Sequence, residues 1–441
     1  MADSLRSWLV QQNQDFIKAF SRADLKDWVL CVGNEAGDLD TLSCSIAFAY
    51  LSNFEKEKKE RYIPIQLTPS SAFQLRAENM AALKDAMGID SESSILQNDL
   101  ICSDTLDFTK FTSFGAKYAL LDHNEIISSI FGNKADVIAI IDHHEPANNN
   151  QLYPLAKPRI IQVPTGSCSA LVTNYFAPTW ENKQIPIGLA DLLLSALIID
   201  TANLKPISEG GKATETDLLA KAFLLPRSRF AQSIQSTDLS NIDHSNRSID
   251  SDNLNKLYKY LSNLKSDVTR LNSTQLLQRD YKQYEINDWK FGLSTIPIGL
   301  NEWVKDKESN DWKKLLNSIN EYGVSKNLDA VGMITNLKLK KNILISSNQS
   351  RHVKELLLLI RNHDMLPLFK NLENLSDEDP IQQQLNLSNL SLNDHQNEID
   401  TFTYSNNVNV KIWNIGNTHA TRKQVAPILI NLVNNLGPKP L

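Results

Sequence analysis

The 441-residue sequence predicts an α/β protein: an N-terminal domain built on a doubly wound parallel sheet, and a smaller C-terminal α/β domain. Three observations predict it. The first half alternates short apolar runs of strand length with segments of helix length, the pattern of a parallel sheet covered on both faces. Several of those runs end directly in carboxylates, and ligands of open parallel sheets gather beyond the carboxyl ends of the strands. A polar stretch, QSIQSTDLSNIDHSNRSIDSDN, interrupts the pattern, and strand and helix signals resume after it.

Taken in order, Asp27–Gly33 reads as a strand, Thr41–Leu51 as a helix, Tyr62–Gln66 as a strand and Ser71–Met87 as a helix. Lys117–Leu121, Val137–Ile141 and Arg159–Val163 are further strand-length runs, and Ser167–Phe176 and Ile187–Ile199 read as helices. This first domain is expected over residues 1–232, followed by a linker at 233–253. The second domain, 254–441, is expected to open on a helix at Leu254–Leu271. Strands are then expected near Trp289–Thr295, Ala330–Asn336 and Asn342–Ser346, with helices at Trp312–Tyr322 and Val353–Arg361. Residues 371–400 hold seven acids and no Lys or Arg and are rich in Asn, Leu and Ser, which reads as a mobile insertion.

Composition narrows the class. Hydrophobic residues make up 41% and charged residues 22%, ordinary for a globular protein. No apolar run approaches the roughly 20 residues that span a bilayer, and the start, MADSLRSWLVQQNQDF, lacks the pattern of a signal peptide. Cys31, Cys44, Cys102 and Cys168 lie far apart and fit reduced core thiols. A cytoplasmic monomer without membrane or nucleic-acid partners is the expectation, the net charge of −6 opposing non-specific nucleic-acid binding. Residues 251–441 carry 23 Lys+Arg against 20 Asp+Glu, a balance of 23 − 20 = +3, so the first half is the acidic one. That asymmetry suits metal in one half and an anionic substrate held by the other; scattered surface charge would read the same way.

The chemistry concentrates at strand and helix ends. The first strand runs into Gly33-Asn34-Glu35-Ala36-Gly37-Asp38-Leu39-Asp40, YALL into Asp122-His123-Asn124, VIAII into Asp142-His143-His144, and the helix LADLLLSALII into Asp200-Thr201. Singly, Asp38 and Asp40 read equally as helix caps or turn residues, and Asp200 as a turn residue. Together they are acids converging on one sheet edge, where they would repel unless cations lay between them. Carboxylates with one or two imidazoles suit Mg²⁺ or Mn²⁺. Two such ions can activate a water and polarise a phosphoryl oxygen. Gly166-Ser167 before a helix could offer N–H groups to an anion, or simply cap the helix.

GNEAGDLD, LLDHN, IIDHHEP and IIDTAN resemble, in order, the four motifs of DHH-family phosphoesterases. GSCSALV, QRDYKQY and ATRKQVAPIL extend the resemblance over nearly all of the chain to fungal cytosolic exopolyphosphatases, which pair a DHH domain with a DHHA2 domain. The departures are residues 371–400 and His123, where yeast-type enzymes carry Asn. The resemblance implies two divalent ions: Asp38 and Asp122 at one, and Asp40, Asp122, His143 and Asp200 at the other, with Asp122 bridging. It implies that His144 faces the reacting phosphate, that Asp142 supports an imidazole, and that Lys282, Arg422 and Lys423 of the second domain hold the substrate, inorganic polyphosphate.

Asn34 separates the branches. Family II inorganic pyrophosphatases, which this chain also resembles, carry a metal-binding His at the equivalent place; an Asn carbonyl is a weaker ligand or holds water, which points toward Mg²⁺ and a long-chain substrate. The implied reaction is hydrolysis of the terminal phosphate of polyphosphate. Pyrophosphate, nucleoside polyphosphates in the manner of prune-type relatives, and a regulator that has lost catalysis are the alternatives.

Overall fold

Trp28–Val32 (β1) is apolar and buried at all five positions. Val29 and Cys31 face one core while Trp28, Leu30 and Val32 face another, which is why the run shows no polar alternation. The computed structural model describes residues 4–55, 59–89, 99–146, 151–231, 247–338, 352–390 and 395–440. They form two units, Met1–Asp267 and Val268–Leu441.

In the first unit β1 is joined by Arg61–Gln66 (β2), Ile101–Cys102 (β3), Lys117–Leu121 (β4), Asp136–Asp142 (β5) and Arg159–Ile161 (β6). The sheet is parallel throughout, in the order β3-β2-β1-β4-β5-β6. The strand order reverses between β1 and β4, so the loops leaving those two strands diverge and open a crevice at their carboxyl ends. The helices are Leu5–Ser21 (α1), Leu39–Asn53 (α2), Ala77–Met87 (α3), Ser128–Phe131 (α4), Cys168–Trp180 (α5), Ile187–Asp200 (α6), Glu215–Leu224 (α7) and Arg247–Ser266 (α8). Helix α6 is apolar almost all round, as a helix enclosed by neighbours must be, and it packs among α2, α3, α5, α7 and α8. Leu254, Leu257 and Leu261 of α8 enter the same core. The helix expected to open the second domain therefore packs in the first unit. Most of the expected linker, 232–246, lies outside the described residues.

The second unit holds Ser273–Arg279 (α9), Tyr281–Ile286 (β7), Trp289–Ile296 (β8), Leu300–Lys307 (α10), Trp312–Ser325 (α11) and Ala330–Thr335 (β9). A short antiparallel pair, Leu337–Lys338 (β10) with His352–Val353 (β11), precedes Glu355–Ile360 (β12). Pro367–Glu373 (α12), Pro380–Leu385 (α13), Leu387–Asn389 (β13), Gln396–Asn406 (α14), Asn409–Ile415 (β14) and Arg422–Asn434 (α15) complete it. The main sheet runs β13-β14-β12-β9-β8-β7, antiparallel except for β8 beside β9.

Two expectations are corrected here. Val353–Arg361, expected to be a helix, is the strand β12: ELLLLI lies between β9 and β14, buried at every position. A short continuous apolar run does not reveal its own period. Residues 371–400 are not a mobile insertion among the described residues. They include α13, β13 paired to β14, and the start of α14, with Leu385, Leu387 and Ile399 buried. Asp379 caps α13, Glu373 ends α12, and Glu398 and Asp400 lie in α14. The expected strand Asn342–Ser346 lies outside the described residues.

Candidate metal centre

The loop leaving β1 is shaped by two glycines. A Cβ on Gly33 would meet Thr41 Cγ2 at 2.2 Å, and Gly37 has φ +56°, so the loop folds tightly onto the start of α2. Buried Arg76 donates to Ala36 O at 2.7 Å and buried Asn79 donates to Gly37 O at 2.8 Å. The clamped loop delivers Asp38 as the N-cap of α2, accepting from Thr41 N at 3.0 Å, with Asp40 in the first turn. Burial and the charges of Asp122 and Asp200 push the Asp38 carboxyl up; Arg76 and Lys265 oppose the rise. Asp40 is pushed up to about 8 by burial, then Asp122 and Asp200.

Asp122 closes β4 with φ +64°, a left-handed conformation that Asp tolerates better than most residues. The turn points its carboxylate back across the crevice. Asn34 Nδ2 donates to Asp122 Oδ2 at 2.7 Å and to Asp122 O at 3.0 Å, and Thr41 Oγ1 donates to the same Oδ2 at 2.6 Å. Asn34 Oδ1 accepts from Ala36 N at 2.9 Å. Asn34 was expected to turn its carbonyl oxygen toward metal, water or substrate. The structure instead commits that oxygen to the backbone and aims the amide N–H at Asp122.

At the end of β5, Asp142 is wholly buried. Its Oδ1 accepts from His143 N at 2.7 Å and His144 N at 3.2 Å and meets His144 Nδ1 at 2.7 Å, while Asn124 donates to Oδ2 at 2.6 Å. Burial pushes the Asp142 carboxyl up, but the hydrogen bond and charge of His144 outweigh it and hold the group below the usual aspartate value. With its Nδ1 proton on Asp142, His144 has Nε2 left for a ligand, and its side chain is a quarter exposed. His143 places Nδ1 at 3.1 Å from Thr165 O, which leaves Nε2 as the lone-pair nitrogen. That nitrogen lies 3.2 Å from Asp122 Oδ1. His123, one residue past Asp122, turns Nδ1 to Leu121 O at 3.0 Å.

The N-terminus of α5 supplies the rest. Asp40 accepts from Ser167 Oγ at 2.9 Å, Cys168 N at 2.6 Å and Ser169 N at 2.8 Å. Gly166 N and Ser167 N donate to Asp217 at 3.0 and 3.1 Å. The N–H groups of Gly166 and Ser167, which could have served an anionic ligand or capped the helix, are both taken by the side chain of Asp217. A Cβ on Gly166 would lie 2.6 Å from Thr201 Cγ2 and 2.9 Å from Asp217 Oδ2, so the approach requires glycine. Asp217 also accepts from Thr214 N and Oγ1, closing a capping box on α7. Asp217→Ala would leave the buried N–H groups of Gly166 and Ser167 and the part-buried N–H of Thr214 without this acceptor. We expect a loss of roughly 2–4 kcal/mol of stability, read by chemical unfolding; a change within ~0.5 kcal/mol would refute this bracing role.

In the second unit Lys282 lies on β7, and Arg422 and Lys423 open α15, which packs against β7. Arg422 is not a solvated cation: Nη1 donates to Asp280 O at 2.7 Å and Nη2 pairs with Asp280 Oδ1 at 2.8 Å. Lys423 is exposed.

The donor set fits a hard divalent cation. Asp40, His143 and Asp200 bring ligand atoms within 4.8 Å of one another, and Asp122, His143 and His144 form a second such group. Asp38 enters neither group among the described residues. Thiolate ligation does not compete at neutral pH, because burial pushes Cys44 well up and Cys168 to about 12.

A doubly wound sheet with carboxylates and imidazoles gathered at its switch point defines a divalent-metal α/β protein. Comparison narrows the class. Residues 28–197 match the DHH family, N-terminal domain, and residues 259–432 match the DHHA2 domain. The chain belongs to the DHH family and carries a DHHA2 domain. It is 27% identical to a "Putative exopolyphosphatase" of Schizosaccharomyces pombe over 92% of this chain and 91% of that one. It is 21% identical to "Exopolyphosphatase PRUNE1" of Mus musculus over 90% and 74%. A "Probable manganese-dependent inorganic pyrophosphatase" of Archaeoglobus fulgidus is 28% identical over 43% of this chain and 52% of its own. No helix among the described residues is long and apolar enough to cross a membrane.

Proposed function

We propose that the protein is a metal-dependent exopolyphosphatase that releases orthophosphate from the end of inorganic polyphosphate. One observation carries the reading: Asp40, Asp122, Asp200 and His143 converge beside His144, whose ring Asp142 fixes so that Nε2 is left for a phosphate. Asp40, Asp122, His143 and Asp200 would hold one divalent ion, and Asp38 with Asp122 would contribute to a second. Such ions supply Lewis-acid polarisation of the phosphoryl group and an activated water for in-line attack.

The chain's own residues supply the rest. Asp142 holds the His144 ring so that Nε2 can donate to a phosphate oxygen. Arg422 offers a planar fork and Lys282 and Lys423 point charges to an anionic chain, and Asp280 fixes the fork before substrate arrives. The choice of polyphosphate over pyrophosphate is supported by likenesses to exopolyphosphatases over some nine-tenths of the chain, whereas the A. fulgidus pyrophosphatase matches 43% of it.

Phosphate release from long polyphosphate, tripolyphosphate, pyrophosphate and a nucleoside tetraphosphate, each with Mg²⁺, Mn²⁺ or chelator, tests the reading. Long polyphosphate is expected to be cleaved fastest and chelator to stop it; pyrophosphate as the best substrate would overturn it. Arg422→Lys keeps the charge but loses the fork, and is expected to raise KM for polyphosphate about tenfold with less change in kcat. An unaltered KM would remove Arg422 from substrate binding.

A further inference from the structure

We propose that residues 379–390, from the cap of α13 to the end of β13, are a brace that sets the position of Arg422 and Lys423, and that Asn417 is the positioning residue through which the brace acts. What the two cations hold rests on the exopolyphosphatase reading; the brace rests on contacts within the second unit.

Arg422 and Lys423 are the first two residues of α15, so their side chains follow the loop 416–421 that leads into it. Three hydrogen bonds tie that loop to the end of α13. Gly416 N donates to Asn386 O at 2.9 Å, Asn417 N to Leu385 O at 3.1 Å and Asn417 Nδ2 to Gln384 O at 2.8 Å. The last carbonyls of a helix have no acceptor role inside it, and here two of them, those of Gln384 and Leu385, are taken up by the loop. Asn386 ends α13 in a left-handed turn with φ +52°, which Asn adopts more readily than most residues. A Cβ on Gly416 would lie 2.4 Å from Asn386 Nδ2, so loop and helix end are in close contact.

Asn417 passes this constraint on. Its Oδ1 accepts from His419 N at 3.1 Å and its O from Ala420 N at 3.0 Å, and Thr421 then caps α15. Buried Lys354 donates to Ala420 O and is a second strut on the same loop. The brace has a firm footing: β13 pairs with β14, and Leu385 and Leu387 share a core with Val425 and Leu429 of α15. Asp280 orients the Arg422 guanidinium at its tip, and the brace fixes the backbone that carries it. A planar fork that binds two oxygens tolerates little displacement. Residues 371–400, where the sequence departs from the family pattern, thereby acquire a task at the substrate site.

Asn417→Ala keeps both backbone bonds of the residue and removes its side-chain bonds to Gln384 O and His419 N. Steady-state hydrolysis of long polyphosphate by the full chain is expected to show KM raised about fivefold with kcat within about twofold of wild type. An unaltered KM, or a loss confined to kcat, would overturn the proposal. In an Arg422→Lys background, where the fork is already lost, the same substitution is expected to add less than about twofold to KM; the same factor in both backgrounds would mean that Asn417 does not act through Arg422. Should Asn417→Ala fail to fold, Asn417→Ser, which keeps an acceptor for His419 N, is expected to raise KM about threefold, and no rise would refute the same role. Amide hydrogen exchange separates the brace from the functional reading. Peptides spanning 421–425 are expected to exchange about tenfold faster in Asn417→Ala than in wild type, and unchanged protection would refute the brace. If wild type leaves long polyphosphate uncut, the functional reading fails and exchange alone decides the brace.

Discussion

Asp122→Asn should leave a folded protein that has lost roughly 10³-fold or more in kcat, equivalent to about 4 kcal/mol of transition-state stabilisation. The substituted side chain keeps an oxygen that can replace Oδ2 as acceptor for Asn34 and Thr41, both within 2.7 Å. Its NH₂ would then take the place of Oδ1, 3.2 Å from His143 Nε2. That nitrogen is an acceptor, so a new hydrogen bond forms where an ion needs a lone pair. One substitution removes two ligands, Asp122 by chemistry and His143 by occupation. The metal-free fold should suffer little, since a charge is removed from the neighbourhood of Asp38, Asp40 and Asp200. Phosphate-release kinetics alongside thermal unfolding with chelator check both halves. Activity above about a tenth of wild type would remove Asp122 from the centre, and a collapse in metal-free stability would mark it as a structural residue instead.

Much of this centre was legible before the fold was known, and the residues show why. Asp122 and Asp142 announce themselves because apolar runs of strand length stop at them, and a parallel sheet puts such stops along one edge. Asp38 is visible because a carboxylate before a helix has a definite place at its N-terminus. The parts that were not legible depend on what lies across the crevice. Nothing in the neighbourhood of Thr41 says that its hydroxyl reaches an oxygen 81 positions away, and the direction of the Asn34 amide is set by Ala36 N and Asp122 together. Asp217 carried a signal that could have been used: Thr214 and Asp217 have capping-box spacing, although only the fold shows that the carboxylate also holds Gly166 and Ser167. The strand β12 was misread because ELLLLI satisfies a buried helix and a buried strand equally. Residues 371–400 were misread because their acids and amides mask sparse apolar anchors.

Divalent metal should matter most to stability at the alkaline end of the neutral range. Asp40 has an ordinary value of 3.8 and is pushed up to about 8 in the metal-free fold, first by burial and then by Asp122 and Asp200; Asp38 is raised in the same direction. A carboxyl raised in the folded state binds more protons there than in the unfolded chain, so stability falls as pH rises from 3.8 toward about 8. Each pKa unit is worth about 1.4 kcal/mol. The donors at α5 favour the ionised form of Asp40 and limit the loss to a few kcal/mol. Asp142 has the opposite sign, because its value is depressed, but its contribution is already complete above the ordinary aspartate value. A bound divalent ion replaces the missing protons, and binding should release protons near pH 7. Melting temperatures with chelator are therefore expected to decline from pH 5.5 to 8.5, while those with Mn²⁺ stay level or rise, so that the gap between the two series widens with pH. A gap that is constant or narrows would mean that the cluster is not the group of buried, mutually repelling carboxyls its geometry describes.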